Sequence, residues 1–152
     1  MKSAQGSWPI VVRNVLAVIA GIAVGSAVNW GLIVSSPSLI APPPGVDVNN
    51  AASLAAAMHL FEPRHFVMPF LAHALGTCAG AAAACLLAAS RRAAMAFGIG
   101  GVFLIGGIAA SFMIPAPAWF KALDIGLAYL PMAWLGWGLG CWLRPEPAAT
   151  RS

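Results

Sequence analysis

Four long runs of apolar residues fill most of this 152-residue chain and constrain its fold more than any other feature. A membrane hydrocarbon core about 30 Å thick is crossed by a helix of about 20 mostly apolar residues. Hydrophobic residues make up 61% of the chain and charged residues only 8%, far from the balance of soluble domains. The sequence therefore predicts an all-α integral membrane protein, a single domain built as a four-transmembrane-helix bundle. The predicted spans are residues 12–34, 66–89, 94–114 and 123–143.

The positions of the basic residues predict how these spans are oriented. Membrane proteins carry an excess of Lys and Arg in their cytoplasmic loops. With a cytoplasmic N-terminus, Arg64 and Lys121 lie outside and the other basic residues lie inside: Lys2, Arg13, Arg91, Arg92, Arg144 and Arg151. We therefore expect a bacterial inner-membrane protein with both termini cytoplasmic. The net charge of +4 then reflects topology, and no nucleic-acid partner is expected.

The first apolar run also has features of a secretory signal peptide, because basic residues precede it and the small residues Gly25, Ser26 and Ala27 follow its centre. Its apolar stretch over residues 15–34 is longer than the roughly 7 to 15 residues of a signal-peptide core. We expect this run to stay in the protein as a membrane helix. Cleavage near Ala27 would instead remove one of the four spans.

The first external loop, residues 35–65, is predicted to contain an extended proline-rich segment followed by one short helix. The proline-rich segment 35–44 should end the first span, since consecutive prolines cannot continue a helix. Asp47 or Asn50 can then cap a short amphipathic helix that runs to about Phe61. Three apolar residues recur on one face of that helix, at Leu54, Met58 and Phe61. The segment is too short to span, so we expect it on the outer membrane surface or over the mouth of the bundle.

Small residues are spaced for close packing of membrane helices. Pairs of small residues four apart allow two helix backbones to approach closely, which favours association in lipid. Such pairs occur in three of the predicted spans, as Gly21 with Gly25, Gly76 with Gly80, and Gly136 with Gly140. The pattern predicts a compact bundle surrounded by membrane lipid. It leaves open whether these faces close the monomer or form a homo-oligomer.

His73 is the most unusual polar residue, because it lies inside the second apolar span. At 1.5 Å per residue it is roughly 11 Å below the start of its helix. Asn29 and Tyr129 lie at similar predicted depths, and Asp124 lies near the start of the fourth span. Ionisable groups at membrane depth are often functional. We therefore predict a polar, ligand-binding pocket on the external face formed by these four residues.

A second cluster precedes the second span and has the residue types of a metal site. His59, Glu62 and His65 are spaced as HxxExxH, and with His73 they could supply imidazole and carboxylate ligands to zinc or another transition metal. Pro63 interrupts any helix that would present them on one face. The competing interpretation of Glu62 and its neighbours is a solvated ion-pair cluster at the membrane surface.

Several functions are disfavoured by missing motifs. The three cysteines form no CxxC pair, no GxxxxGK[ST] phosphate loop is present, and no serine has GxSxG context. We therefore expect a noncatalytic membrane protein whose external polar pocket binds a lipid, a small ligand or a partner helix. The alternative is a membrane-embedded metal site or a small transporter that uses the histidine and glutamate set.

Overall fold

The computed structural model describes residues 9–144, and within that range every regular element is helical. Lys2 and Arg151, which enter the orientation argument, lie outside the described residues, as do both chain ends. The helices are α1 (Ile10–Leu39), α2 (Ala51–Ala57), α3 (Val67–Leu87), α4 (Arg92–Met113), α5 (Ala118–Leu127) and α6 (Leu130–Leu143), with short 3-10 turns at Met58–Leu60 and Pro63–Phe66.

Three segments are long and apolar enough to cross a membrane: Ile10–Leu39, Pro63–Leu87 and Arg92–Met113. They correspond to the first three predicted spans and confirm the all-helical class. Half of the apolar window of the second segment is buried inside the protein, against 17% for each of the other two. The helix α3 is therefore the central element, and α1, α4 and α6 pack around it.

The fourth predicted span, residues 123–143, is not one continuous helix. It is divided into α5, with 10 residues, and α6, with 14 residues. Pro131 lies in the first turn of α6. Because proline has no N–H and its ring crowds the preceding turn, it cannot bond to the carbonyl of Leu127 four residues earlier. The helix breaks at Ala128 and Tyr129 and starts again, so this region contributes two short helices.

The first helix continues further than the sequence predicted. The predicted span ended at residue 34, whereas α1 includes Pro37 and stops at Leu39, inside the segment 35–44 that was expected to end it. The helix can pass Pro37 because a single proline in the last turns removes only its own backbone hydrogen bond. The Ser35 hydroxyl donates to the carbonyl oxygen of Gly31 at 2.7 Å, and the helix ends just before the proline triplet that starts at Pro42.

A short helix, α2, forms in the first long loop and ends earlier than the predicted boundary at Phe61. The side chain of Asn50 caps it by accepting hydrogen bonds from the backbone N–H groups of Ala52 (2.9 Å) and Ser53 (3.1 Å). No residue of α2 is buried. It is followed by the 3-10 turn Met58–Leu60, so the predicted single helix is a helix and a turn.

The predicted glycine pairs lie where helices of the same chain pack against each other. A methyl group added at Gly80 would lie 2.6 Å from the carbonyl oxygen of Gly21, and one added at Gly25 would lie 2.7 Å from that of Gly76. The α1 and α3 backbones are therefore in direct contact, as the small-residue spacing allows. Gly136 of α6 packs in the same way against α3. Formation of a homo-oligomer stays a prediction.

Two arginines stabilise the end of the bundle where α3 and α6 terminate. Arg92 donates from Nε to the carbonyl oxygen of Cys85 at 3.1 Å and from a terminal nitrogen to that of Gly140 at 3.0 Å. Arg144 donates to the carbonyl oxygen of Leu86 at 2.6 Å. Carbonyl groups at helix C-termini lack partners within the helix and attract cations. We call this the arginine end, and the opposite end, which carries α2, the proline end.

Candidate ligand-binding site

His73 and Asp124 form a hydrogen-bonded pair between α3 and α5. The Nδ1 atom of His73 lies 2.9 Å from Oδ1 of Asp124, and the Asp124 side chain is only 7% exposed. The His73 side chain is 28% exposed, so one part of the ring remains accessible. The hydroxyl group of Thr77, one turn further along α3, donates to the His73 carbonyl oxygen at 2.7 Å. Both members of the pair belong to the predicted polar set.

Tyr129 completes this cluster from the break between α5 and α6. Its hydroxyl group donates to Oδ2 of Asp124 at 2.8 Å, and its ring stacks on His73 with centroids 6.0 Å apart. In a continuous helix, two residues five apart would point about 140° away from each other. The contact exists because the backbone turns at Tyr129, where φ is −117° and ψ is −79°. The helix break thus brings Tyr129 back onto Asp124.

The contacts of Asp124 determine which ring nitrogen of His73 donates a hydrogen bond. Both oxygen atoms of Asp124 accept a hydrogen bond, one from His73 and one from Tyr129. A carboxylate has no donor, so Nδ1 of His73 carries the proton that lies between the two groups. The other ring nitrogen, Nε2, then has a free lone pair in the neutral imidazole. Within residues 9–144, no side chain or backbone group forms a hydrogen bond to it.

His73 and Asp124 contribute to a large cavity at the proline end, which we call the main cavity. Its volume is about 460 Å³, and most of the residues around it are apolar. The apolar face predicted for the loop helix, Leu54, Met58 and Phe61, forms one wall. Lys121 and His65 are the other ionisable residues along its edge, and the Lys121 ammonium group donates to the carbonyl oxygen of Ser111.

A smaller cavity of about 230 Å³, which we call the inner cavity, lies beside the same histidine. His73, Gly107 and Ala110 contribute to both cavities, so the two meet at this point. Asn29 and Tyr129 also line the inner cavity. The Oδ1 atom of Asn29 is buried and has no hydrogen-bond partner within the described residues. All four residues predicted for the polar pocket therefore line one or both cavities, although binding by the pocket stays a prediction.

The four residues predicted as metal ligands are not brought together. Glu62 pairs with exposed Arg64 at 3.0 Å, and the Glu62 N–H group donates to Nδ1 of His65 at 2.9 Å. The contact between Glu62 and His65 belongs to a capping box around the 3-10 turn that begins at Pro63. His59 is exposed, and His73 is bound to Asp124 instead. In residues 9–144, no group of three or more His, Cys, Asp or Glu side chains could hold a metal ion.

No protein-family model matches the chain, and neither a curated protein nor a solved structure is significantly similar to it. A fold shared with characterised proteins would in any case carry only a weak functional implication, since function depends on the site. The function is therefore inferred from the geometry of the two cavities and of the cluster between them.

Further residues of the site were not among those predicted. Ser26 precedes Asn29 by three positions and Thr77 follows His73 by four, and both line the inner cavity. Residues three or four apart share a helix face, so this spacing was a usable signal. The contribution of Phe103 from α4 had no comparable signal, because it depends on how the helices rotate against each other.

Proposed function

We propose that this is a small, noncatalytic inner-membrane protein that binds an amphiphilic molecule, such as a membrane lipid, in the main cavity. In this proposal α5 and α6 together make the fourth crossing of the membrane. The broken helix is compatible with a crossing because Ala128 and Tyr129, at which it turns, are buried in the protein, the setting in which irregular backbone is tolerated at membrane depth.

The proposed orientation places the arginine end in the cytoplasm and the proline end outside. Arg91, Arg92 and Arg144 lie at the arginine end, whereas Arg64 and Lys121 lie at the proline end. An excess of basic residues on the cytoplasmic side supports this orientation. The main cavity would then open toward the external leaflet, beneath α2.

The observation that supports binding is an apolar cavity with a polar cluster at its inner end. A volume of about 460 Å³ lies within the range of roughly 300 to 1,000 Å³ typical of small-molecule sites. Such sites combine apolar walls with a few polar groups that orient the ligand. Here those groups are His73 and Asp124, which are ionisable residues in a membrane protein and therefore expected to serve a function.

The lid over this cavity is suited to admit a ligand. The helix α2 has no buried residue, and its one large apolar side chain, Leu54, lines the cavity. Elements with few buried apolar contacts open at low free-energy cost. A ligand can therefore enter beneath α2 without disturbing the contact between α1 and α3.

A larger side chain introduced on α4, on the face that lines the cavity, tests the proposal by occupying the space of the ligand. Ala110 lines both cavities, whereas its neighbour Ala109 is exposed and lines neither. We expect Ala110→Phe to abolish one-to-one binding of para-decylphenol in native mass spectrometry, and Ala109→Phe to leave it unchanged. Absence of stoichiometric binding to the unaltered protein, or equal binding by both variants, would overturn the proposal.

A further inference from the structure

Hydrogen-bond acceptors without partners belong to residues that line the inner cavity. Oδ1 of Asn29 has no donor within the described residues. His73 also lines the cavity, and when its neutral imidazole donates from Nδ1 to Asp124, Nε2 is an acceptor. The hydroxyl oxygen of Tyr129, whose proton is donated to Asp124, can also accept. A buried acceptor without a donor costs about 1 to 3 kcal/mol. A group that supplies hydrogen-bond donors would remove this cost.

The inner cavity also lacks formal charge of its own. Within the part of the chain that the structure describes, its lining contains one histidine, Asn29, Ser26, Thr77 and Tyr129 as polar residues, and no Lys, Arg, Asp or Glu. Asp124 lies behind His73 and Tyr129, with both oxygens occupied by them. Burying an unpaired charge is far more costly than burying a neutral group that forms hydrogen bonds. The lining therefore suits a neutral headgroup and disfavours a phosphate or carboxylate.

The two cavities adjoin each other, an arrangement that suits one elongated molecule. They share His73, Gly107 and Ala110, so the body of such a ligand in the main cavity would lie next to a head in the inner cavity, with the histidine between them. The main cavity supplies apolar walls, and the inner cavity supplies the acceptors. This division corresponds to the two halves of an amphiphile.

We infer that the site selects an amphiphile whose headgroup is neutral and donates hydrogen bonds, most simply a hydroxyl group. The hydroxyl head occupies the inner cavity between Asn29 and His73, and the apolar body lies in the main cavity. This inference rests on the proposed function and adds the chemical class of the ligand. Aromatic and aliphatic alcohols share the chemistry that the acceptors require.

The test uses probes that differ only in the headgroup. Detergent-purified protein is titrated in native mass spectrometry with para-decylphenol, its methyl ether para-decylanisole, and para-decylbenzenesulfonate. We expect the phenol to bind on the order of tenfold more tightly than the ether, since the ether cannot donate. The sulfonate should bind most weakly. Decylglycerol ether carries aliphatic hydroxyl groups, so comparing it with para-decylphenol distinguishes an aliphatic from an aromatic alcohol as the ligand. Tighter binding of either alcohol than of para-decylanisole supports the inference.

A matched pair of variants locates the headgroup. Asn29→Leu removes the acceptor in the inner cavity, and Asn49→Leu removes an amide that lines only the main cavity. Asn29→Leu should reduce severalfold the ratio of the affinity for para-decylphenol to that for para-decylanisole, whereas Asn49→Leu should leave this ratio unchanged. Binding of the ether to both variants shows that they are folded.

The possible results separate the two proposals. If neither para-decylphenol nor decylglycerol ether binds more tightly than para-decylanisole, or if the sulfonate binds most tightly, the selection of a hydroxyl head is overturned while the proposed function stands. An unchanged preference in Asn29→Leu would overturn the assignment of the head to the inner cavity. Failure of every probe to bind would overturn the proposed function itself and this inference with it.

Discussion

Asp124 and Tyr129 are only five residues apart, yet they contact each other across a helix break, with the tyrosine hydroxyl 2.8 Å from the carboxylate. The break produced by Pro131 is therefore part of the site, because it directs Tyr129 toward the same carboxylate that His73 contacts from α3. The buried carboxylate of Asp124 in α5 therefore connects α3 to the turn between α5 and α6. Stability and ligand binding should respond together when this acid loses a partner.

Tyr129→Phe should destabilise the protein by about 1 to 3 kcal/mol, because it leaves one oxygen of a buried carboxylate without a donor. The measurement is unfolding in mixed micelles followed by tryptophan fluorescence. Asp124→Leu, which removes the acceptor, combined with Tyr129→Phe forms a double-mutant cycle. A coupling free energy above about 0.5 kcal/mol is expected for residues in contact, and additive effects would show that the hydrogen bond does not form.

His73→Phe should both weaken binding of para-decylphenol by roughly tenfold and lower stability, since Asp124 loses a partner and the ligand loses an acceptor. His59→Phe is the matched control because His59 is exposed and lines neither cavity. Binding is followed by native mass spectrometry. Equal affinities of the two variants would contradict the role assigned to His73.

Adjacent glycines of α4 provide a test of the space that Tyr129 occupies. A methyl group at Gly107 would overlap the Tyr129 hydroxyl, whereas one at Gly106 would meet nothing within 4 Å. Gly107→Ala should destabilise by about 1 to 3 kcal/mol through overpacking. Gly106→Ala should be neutral or slightly stabilising, because alanine favours a helix by about 1 kcal/mol over glycine. Similar effects of the two substitutions on micelle unfolding would contradict the described packing.

The arginine end offers a comparison that is independent of the cavities. Arg92→Gln removes the guanidinium group that bridges the ends of α3 and α6, whereas Arg91→Gln alters an exposed neighbour. We expect Arg92→Gln to cost about 1 to 3 kcal/mol, as buried carbonyl groups lose charged donors. Arg91→Gln should lie within about 0.5 kcal/mol of the unaltered protein. Thermal unfolding in detergent distinguishes these outcomes, and indistinguishable variants would show that the bridge is not stabilising.

The sequence predicted the class of the fold and the general location of the polar residues. Apolar length identified the first three membrane-length helices, and depth along the helices associated His73 with Asn29 and Tyr129. Depth could not predict the hydrogen bond to Asp124, because that contact depends on the rotation of α3 and α5 about their axes. Which side chains contact each other in a bundle is determined by how the helices pack, and the order of residues along the sequence does not show this.

Other differences between the predicted and the observed structure have local causes. The role of Pro131 was underestimated because hydropathy averages over a window and does not register a missing N–H group. Arg92 and Arg144 were interpreted only as charges that set orientation, although their positions near helix ends are typical of groups that cap carbonyls. The HxxExxH spacing predicted a metal site, whereas Pro63 converts it into a local capping box.

The most direct measurement is to map where a bound amphiphile lies. A decyl alcohol with a photoreactive diazirine on its chain is irradiated with the purified protein, and labelled peptides are identified by mass spectrometry. We expect saturable labelling at residues of the main cavity, such as Ile33, Met58 and Ile114, that is lost in Ala110→Phe. Labelling that rises in proportion to probe concentration and concentrates on outward-facing residues such as Ile105 and Phe112 would contradict it.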